Sequence, residues 1–180
     1  MLKFDVITAQ QYACAGKLEA WIHTYLNTGY WANRGLSEGL ARQRRWWVGP
    51  IEMELADLVR ACGPEACMEY HVDSARWAEQ TRQMAQFLTD PVSMPPLIVE
   101  YRQGSLSVRD GNTRHEAMRL KGWRTCWVLI WYNTEQDYRR HVDQLIESGK
   151  LTRHASLDDA QAKETEHGSQ YRNQSQSQGF

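Results

Sequence analysis

Apolar residues along this chain recur in two rhythms, one helical and one strand-like, and the switches between them mark the predicted elements. Thr8 followed by Gln11 has the spacing of a capping box, and Leu18, Ile22, Tyr25 and Leu26 then share one helical face until Asn27 and Gly29 interrupt it. Residues 30–50 mix aromatics, glycines and arginines without a convincing period and are predicted as a loop with room for one short helix. Ile51, Leu55, Leu58, Val59 and Cys62 follow the i, i+4, i+7, i+8 rule, with Glu52, Glu54, Asp57 and Arg60 on the other face. That spacing predicts a second helix, stopped by Gly63 and Pro64.

The rhythm shortens at "CMEYHV", a strand-like run, and lengthens again where Asp73 or Ser74 opens a helix lined by Trp77, Thr81, Met84, Ala85 and Leu88. Asp90, Pro91 and the Pro95-Pro96 pair end it. "LIVEYRQGSLSVRDG" reads as a hairpin about Gln103-Gly104, and a helix from Thr113 to Lys121 is closed by Gly122. "TCWVLIWY" is a buried strand, and Thr134 with Asp137 starts a last helix that turns Tyr138, Val142, Leu145 and Ile146 inward and ends at Gly149. These elements predict an α/β (α+β) fold: a small mixed sheet packed against helices at 66–150, and an N-terminal helical extension at 1–65 that covers it. Residues 151–180, rich in Gln, Ser, Asn and acidic groups, are expected to be a disordered polar tail.

Composition narrows the class of function. A chain of 180 residues, 42% hydrophobic and 24% charged, suits one domain with a sizeable core. The net charge of −1 supplies no global basic field, so a nucleic-acid partner is not expected beyond a local contact. The clean apolar run from Cys126 to Tyr132 is far shorter than a membrane span, and "MLKFDVITAQQ" has no apolar signal core, so a cytoplasmic protein without membrane contact is expected. Cys14, Cys62, Cys67 and Cys126 are too scattered for a disulfide scaffold. Cys62, Cys67 and His71 have ligand-like spacing, but no fourth ligand accompanies them and no metal site is assigned there.

The chemistry concentrates in "VRDGNTRHEAMRLKGWRTCWVLIW", residues 108–131. Gly111 permits a positive φ or a close approach to a ligand, and Thr113 with Glu116 has the T-x-x-E capping spacing. Free amides at the start of that helix favour an anion, and Arg114 adds a fork suited to phosphate oxygens. Asp110 and Asn112 carry oxygens that could hold Mg²⁺ beside phosphates, or accept and orient a proton. Asp-Gly-Asn is also an ordinary turn sequence, and a capped helix needs no ligand.

The order of segments adds to this. "PPLIVEYRQGSLSVRDGNTRHEAMRLKGWRTCWVLIW", preceded by "MEYHVDSARWAEQTRQMAQFL", resembles the ParB/sulfiredoxin-like superfamily over roughly residues 66–132, through Gly111, Asn112, Thr113 and Arg114 with Ala117 and Gly122. The resemblance implies a G-x-x-R turn that binds nucleotide phosphates, with ATP or CTP as ligand and Mg²⁺ as helper. It places Gly111, Asn112, Thr113 and Arg114 on the phosphates, and Asp110 and His115 near the transferring group. Asp110 or Glu116 would activate a hydroxyl or water. Sulfiredoxins carry a catalytic cysteine where this chain has Asn112, so sulfinic acid repair is not implied. Partition proteins continue into a helix-turn-helix domain, for which no pattern is present after Trp131.

Stand-alone members with "DGN-x-R" or "DGH-x-R" are the nearest in pattern, and they imply kinase-like transfer to a small hydroxylated substrate or nucleoside triphosphate hydrolysis. The alternatives are a non-catalytic nucleotide- or protein-interaction module, and a local DNA-binding or nuclease-type domain. "ARQRRWW" sets Arg42, Arg44 and Arg45 beside Trp46, a mixture able to stack a base or grip phosphate, although aromatics in such loops more often pack. Glu69 and His71, on the strand that resembles the family's first, complete the expected substrate-side residues.

Overall fold

The computed structural model describes residues 3–152, and the expected polar tail lies outside the described residues from 153 onward. Its helices are α1 (Val6–Cys14), α2 (Leu18–Thr28), α3 (Arg34–Leu40), α4 (Ser74–Phe87), α5 (Asn112–Leu120) and α6 (Glu135–Glu147). Its strands are β1 (Trp46–Glu54), β2 (Leu58–Arg60), β3 (Cys62–Gly63), β4 (Tyr70–His71), β5 (Leu97–Arg102), β6 (Ser105–Asp110) and β7 (Thr125–Tyr132). The main sheet has five strands in the order β1-β7-β5-β6-β2. It is mixed: β1 and β7 are antiparallel, β7 and β5 parallel, β5 and β6 antiparallel, β6 and β2 parallel.

Strand alternation divides the core between the two sheet faces. Leu97, Val99, Val108, Val128 and Ile130 pack on one side with Ala117 and Met118 of α5 and Val142 and Leu145 of α6. Ile98, Leu129 and Trp131 face the other way, against Ala9 of α1, Trp21, Ile22, Tyr25 and Leu26 of α2, and Leu40 of α3. The first three helices therefore cover one sheet face, as the apolar stripe of residues 18–26 requires.

The hairpin, α5, β7 and α6 form where the pattern predicts them. Gln103 and Gly104 both take positive φ, 52° and 82°, the conformation a tight two-residue hairpin turn demands. Thr134 caps α6 by accepting from the Asp137 amide at 3.2 Å.

The helix expected from Ile51 to Cys62 is replaced by strands and a short 3-10 turn at Leu55–Asp57, and β1 begins at Trp46, within the expected loop. Ile51, Met53 and Leu55 are buried while Glu52 and Glu54 are exposed, so the period is two. The same apolar residues satisfy both rhythms, and pairing with β7 decides between them. At the N-terminus Asp5 and Thr8 form the capping box, in place of Thr8 and Gln11. Gly16, at φ 66°, separates α1 from α2. "CMEYHV" contributes only the two residues of β4, paired with β3 outside the main sheet.

His141 ties α6 to the sheet: its Nδ1 lies 2.8 Å from the Tyr132 hydroxyl and its ring stacks on Tyr101 at 4.3 Å. Burial, aided by Lys150, pushes this imidazole from 6.5 down to about 4. The unfolded chain therefore takes up a proton at a pH where the folded chain still excludes it. The stability contributed by neutral His141, about 3 kcal/mol at most, is complete above pH 6.5 and lost as pH falls toward 4. His141→Gln is expected to show a shallower fall of Tm than the parent across that window. Thermal melts at a series of pH values check this, and parallel profiles would contradict it.

Candidate functional site

The end of β6 runs into α5 through Gly111, whose φ of 93° and ψ of 23° are left-handed. A Cβ at this position would lie 2.5 Å from Leu97 Cδ2 and 2.8 Å from Arg114 Nη2, so both conformation and space favour glycine. The main-chain N–H groups of Asn112, Thr113 and Arg114 belong to the first turn of α5 and have no acceptor among the described residues. Gly111, Asn112 and Thr113 are half-buried. Their amides, at the positive end of the α5 dipole, form an anion-attracting corner.

Arg114 corrects an expectation. A guanidinium open to phosphate is expected, yet Arg114 is only 2% exposed. Its Nη2 donates to Asp110 Oδ2 at 2.8 Å and to the Tyr25 hydroxyl at 3.1 Å, and its Nη1 donates to the Pro95 carbonyl. Trp31 covers it, with the guanidinium carbon 5.2 Å from the ring centroid. Asp110, 7% exposed, also accepts from the Tyr25 hydroxyl at 3.2 Å and from Asn33 Nδ2 at 3.4 Å. Burial holds the Tyr25 phenol well above its ordinary value, so it stays protonated and able to donate. Arg114 thus shapes the turn from beneath, and Asp110 is its counter-charge.

Asn112 is divided between two roles. Its side-chain oxygen accepts from the amides of Ala61 and Cys62 at 2.9 and 3.1 Å, which fastens the start of α5 to the segment after β2. Thr113 does not cap α5: Gly111 occupies the cap position and no side chain accepts there. Glu116 is not free to close a capping box either, because it binds Arg119 at 2.6 Å and lies 3.6 Å from Arg60. The bond from Arg119, with Arg60 beside it, holds the Glu116 carboxyl below its ordinary value.

His115, expected near a transferring group, is buried with Nε2 3.0 Å from the Leu55 carbonyl. That carbonyl makes Nε2 the protonated nitrogen, and burial lowers the affinity of the ring for a second proton. His115 and Glu116 therefore do not join Asp110 at the turn, because successive helical positions point in different directions. The described residues do not suit Mg²⁺ either. Asp110 is enclosed by the donors of Arg114, Tyr25 and Asn33, and no group of three or more His, Cys, Asp or Glu residues is placed to hold an ion.

The remaining candidates lie elsewhere. Arg42 and Arg44 are exposed, Arg44 with its guanidinium carbon 5.1 Å from the Trp46 ring centroid. Arg45 donates to the Asn133 side-chain oxygen. Glu69 pairs with Arg109 at 2.5 Å, a bond that lowers its carboxyl pKa, and His71 is exposed on β4. Tyr25, Trp31, Asn33 and the Pro95 carbonyl were not anticipated as site residues. Tyr25 carried a usable signal, since a hydroxyl on a buried apolar stripe requires a polar partner.

No family model and no curated protein matches the sequence. Among solved structures, the chain is similar to sulfiredoxin from Arabidopsis thaliana at 21% identity and a TM-score of 0.31, over 54% of this chain and 97% of that one. It is also similar to a Pnob8-like ParB-N domain at 14% identity and a TM-score of 0.28, over 72% of this chain and 50% of that one. The chain thus spans half the length of the second structure.

Removing Arg114 leaves Asp110 as a buried, unpaired charge. Arg114→Ala is expected to lower stability by about 3–5 kcal/mol. Arg114→Ala combined with Asp110→Asn should lose less than the sum of the two single changes. Urea unfolding of the three variants and the parent measures both effects.

Proposed function

We propose that the chain is a nucleotide-binding module whose Asn112, Thr113 and Arg114 amides hold the phosphates of ATP or CTP. One observation carries the reading: these amides have no acceptor among the described residues at a turn held open by left-handed Gly111. Recognition is by the main chain, while the Arg114 guanidinium keeps the turn in shape from below. Binding without turnover is favoured over phosphoryl transfer, because Asp110, His115 and Glu116 are each engaged by other groups of the protein. Phosphoryl transfer to a small hydroxylated substrate, or nucleotide hydrolysis, is the second reading. It is supported by the position of Asp110 directly before the turn and requires release of Asp110 from Arg114.

Calorimetric titration with ATP, CTP and inorganic tripolyphosphate tests the module. Saturable binding of at least one nucleotide is expected, and Thr113→Pro, which removes one amide donor and no ion pair, should weaken it by about tenfold or more. Circular dichroism of the variant checks that α5 persists. Failure of every nucleotide and of tripolyphosphate to bind the parent rejects the module. Formation of nucleoside diphosphate or of a phosphorylated product on incubation selects the second reading.

A further inference from the structure

Strands β1 and β2 lie at opposite borders of the sheet, so the chain crosses one sheet face between them, through the 3-10 turn at Leu55–Asp57. Helix α6 packs on the same face, since Leu55 and Leu58 share a core with Val142 and Leu145. Between crossover and helix lies a cavity of about 550 Å³, a volume within the range of small-molecule sites. Met53, Tyr101 and Leu106 give it apolar walls, His141 and Gln144 line it from one side of α6, and the exposed Asp57 stands at its rim.

One wall carries a donor without an acceptor. His141 is 8% exposed, and its neutral ring has a single N–H to place. The hydroxyl of Tyr132, a residue with no exposure, has no partner other than His141 Nδ1 among the described residues, so it donates to that nitrogen and the imidazole proton sits on Nε2. Nε2 has no hydrogen-bond partner among the described residues and, unlike Nδ1 of His115, is not sealed from solvent. Since His141 lines the cavity, this N–H opens into it.

The rim sets the charge of the ligand. Lys150 Nζ lies 3.5 Å from Asp57 Oδ2 and 3.9 Å from the Met53 sulfur, so the carboxylate and the ammonium offset each other. A cationic ligand would compete with Lys150, and an anionic one with Asp57. Thioether and aromatic walls suit a flat ring, by sulfur contact and by edge or face packing.

We propose that this cavity binds a neutral heteroaromatic molecule, whose ring nitrogen or carbonyl oxygen accepts from His141 Nε2–H while its ring packs against Met53, Tyr101 and Leu106. The site is separate from the α5 turn: Leu106 and Asp110 are near opposite ends of β6, about 13 Å apart. Nitrogen-15-labelled full-length protein, titrated with nicotinamide and with nicotinate, reports on it through the His141 imidazole resonances, which His141→Phe assigns.

A saturable shift of the Nε2–H signal with nicotinamide is expected, and binding of the anionic nicotinate should be about tenfold weaker. His141→Phe, which keeps a ring on Tyr101 but removes the donor, should weaken nicotinamide by about tenfold. Gln144→Trp, at an exposed position of α6, fills the cavity from its rim and should abolish binding. If His141→Phe does not fold, Gln144→Trp and the nicotinate comparison still decide the matter. The proposal is overturned if nicotinamide does not bind saturably, if nicotinate binds as tightly, or if either folded variant binds nicotinamide as the parent does.

Discussion

A guanidinium and a carboxylate enclosed by Tyr25, Trp31 and Pro95 constrain each other and everything that touches them. Arg114 and Asp110 come from adjoining elements, but their satisfaction requires Tyr25 of α2, Asn33 at the start of α3 and the carbonyl just before β5. Charges this deep are tolerated only when their hydrogen-bonding capacity is nearly filled, since an uncompensated one costs more than the pair contributes. The N-terminal helices are therefore docked onto the sheet by polar matching as well as by apolar contact. The turn at Gly111 inherits its shape from that docking.

Side chains and main-chain amides of the same few residues consequently face different demands, the side chains being engaged in structural bonds and the first-turn amides of α5 having no acceptor among the described residues. At Asn112 the side chain holds the segment after β2 while the amide has no acceptor among the described residues. At Arg114 the side chain is buried in the ion pair and the amide joins the same corner. Recognition by main-chain groups requires less of side-chain identity than recognition by a guanidinium fork, and more of backbone conformation. Gly111, with a positive φ and no room for a Cβ, is the residue through which that conformation is enforced.

The parts of the fold legible in the sequence were those settled locally. Gln103-Gly104 announces a hairpin because its backbone conformation is read from residue type, and Thr134 or Asp73 announces a helix start because a cap is a local bond. The strand at 46–54 was not legible, since Ile51, Leu55 and Leu58 fit a helix until β7 is present to pair with them. The location of the candidate site was legible from Asp110 to Arg114, but its polarity was not. Whether Arg114 faces solvent or the interior is decided by α2, more than 80 residues earlier in the chain. His115 and Glu116 adjoin Arg114 in the sequence, but successive helical positions point in different directions, and their side chains bond to the Leu55 carbonyl and to Arg119 rather than to Asp110.

The margins of the sheet have a consequence for how this protein meets other copies of itself. At one border β1 carries Pro50, which offers no N–H, exposed carboxylates at Glu52 and Glu54, and a shift of register between Val48 and Ile51. At the other, β2 is only three residues long. Neither border offers a long, regular row of backbone groups on which a foreign strand could template itself, so both are guarded against runaway strand addition.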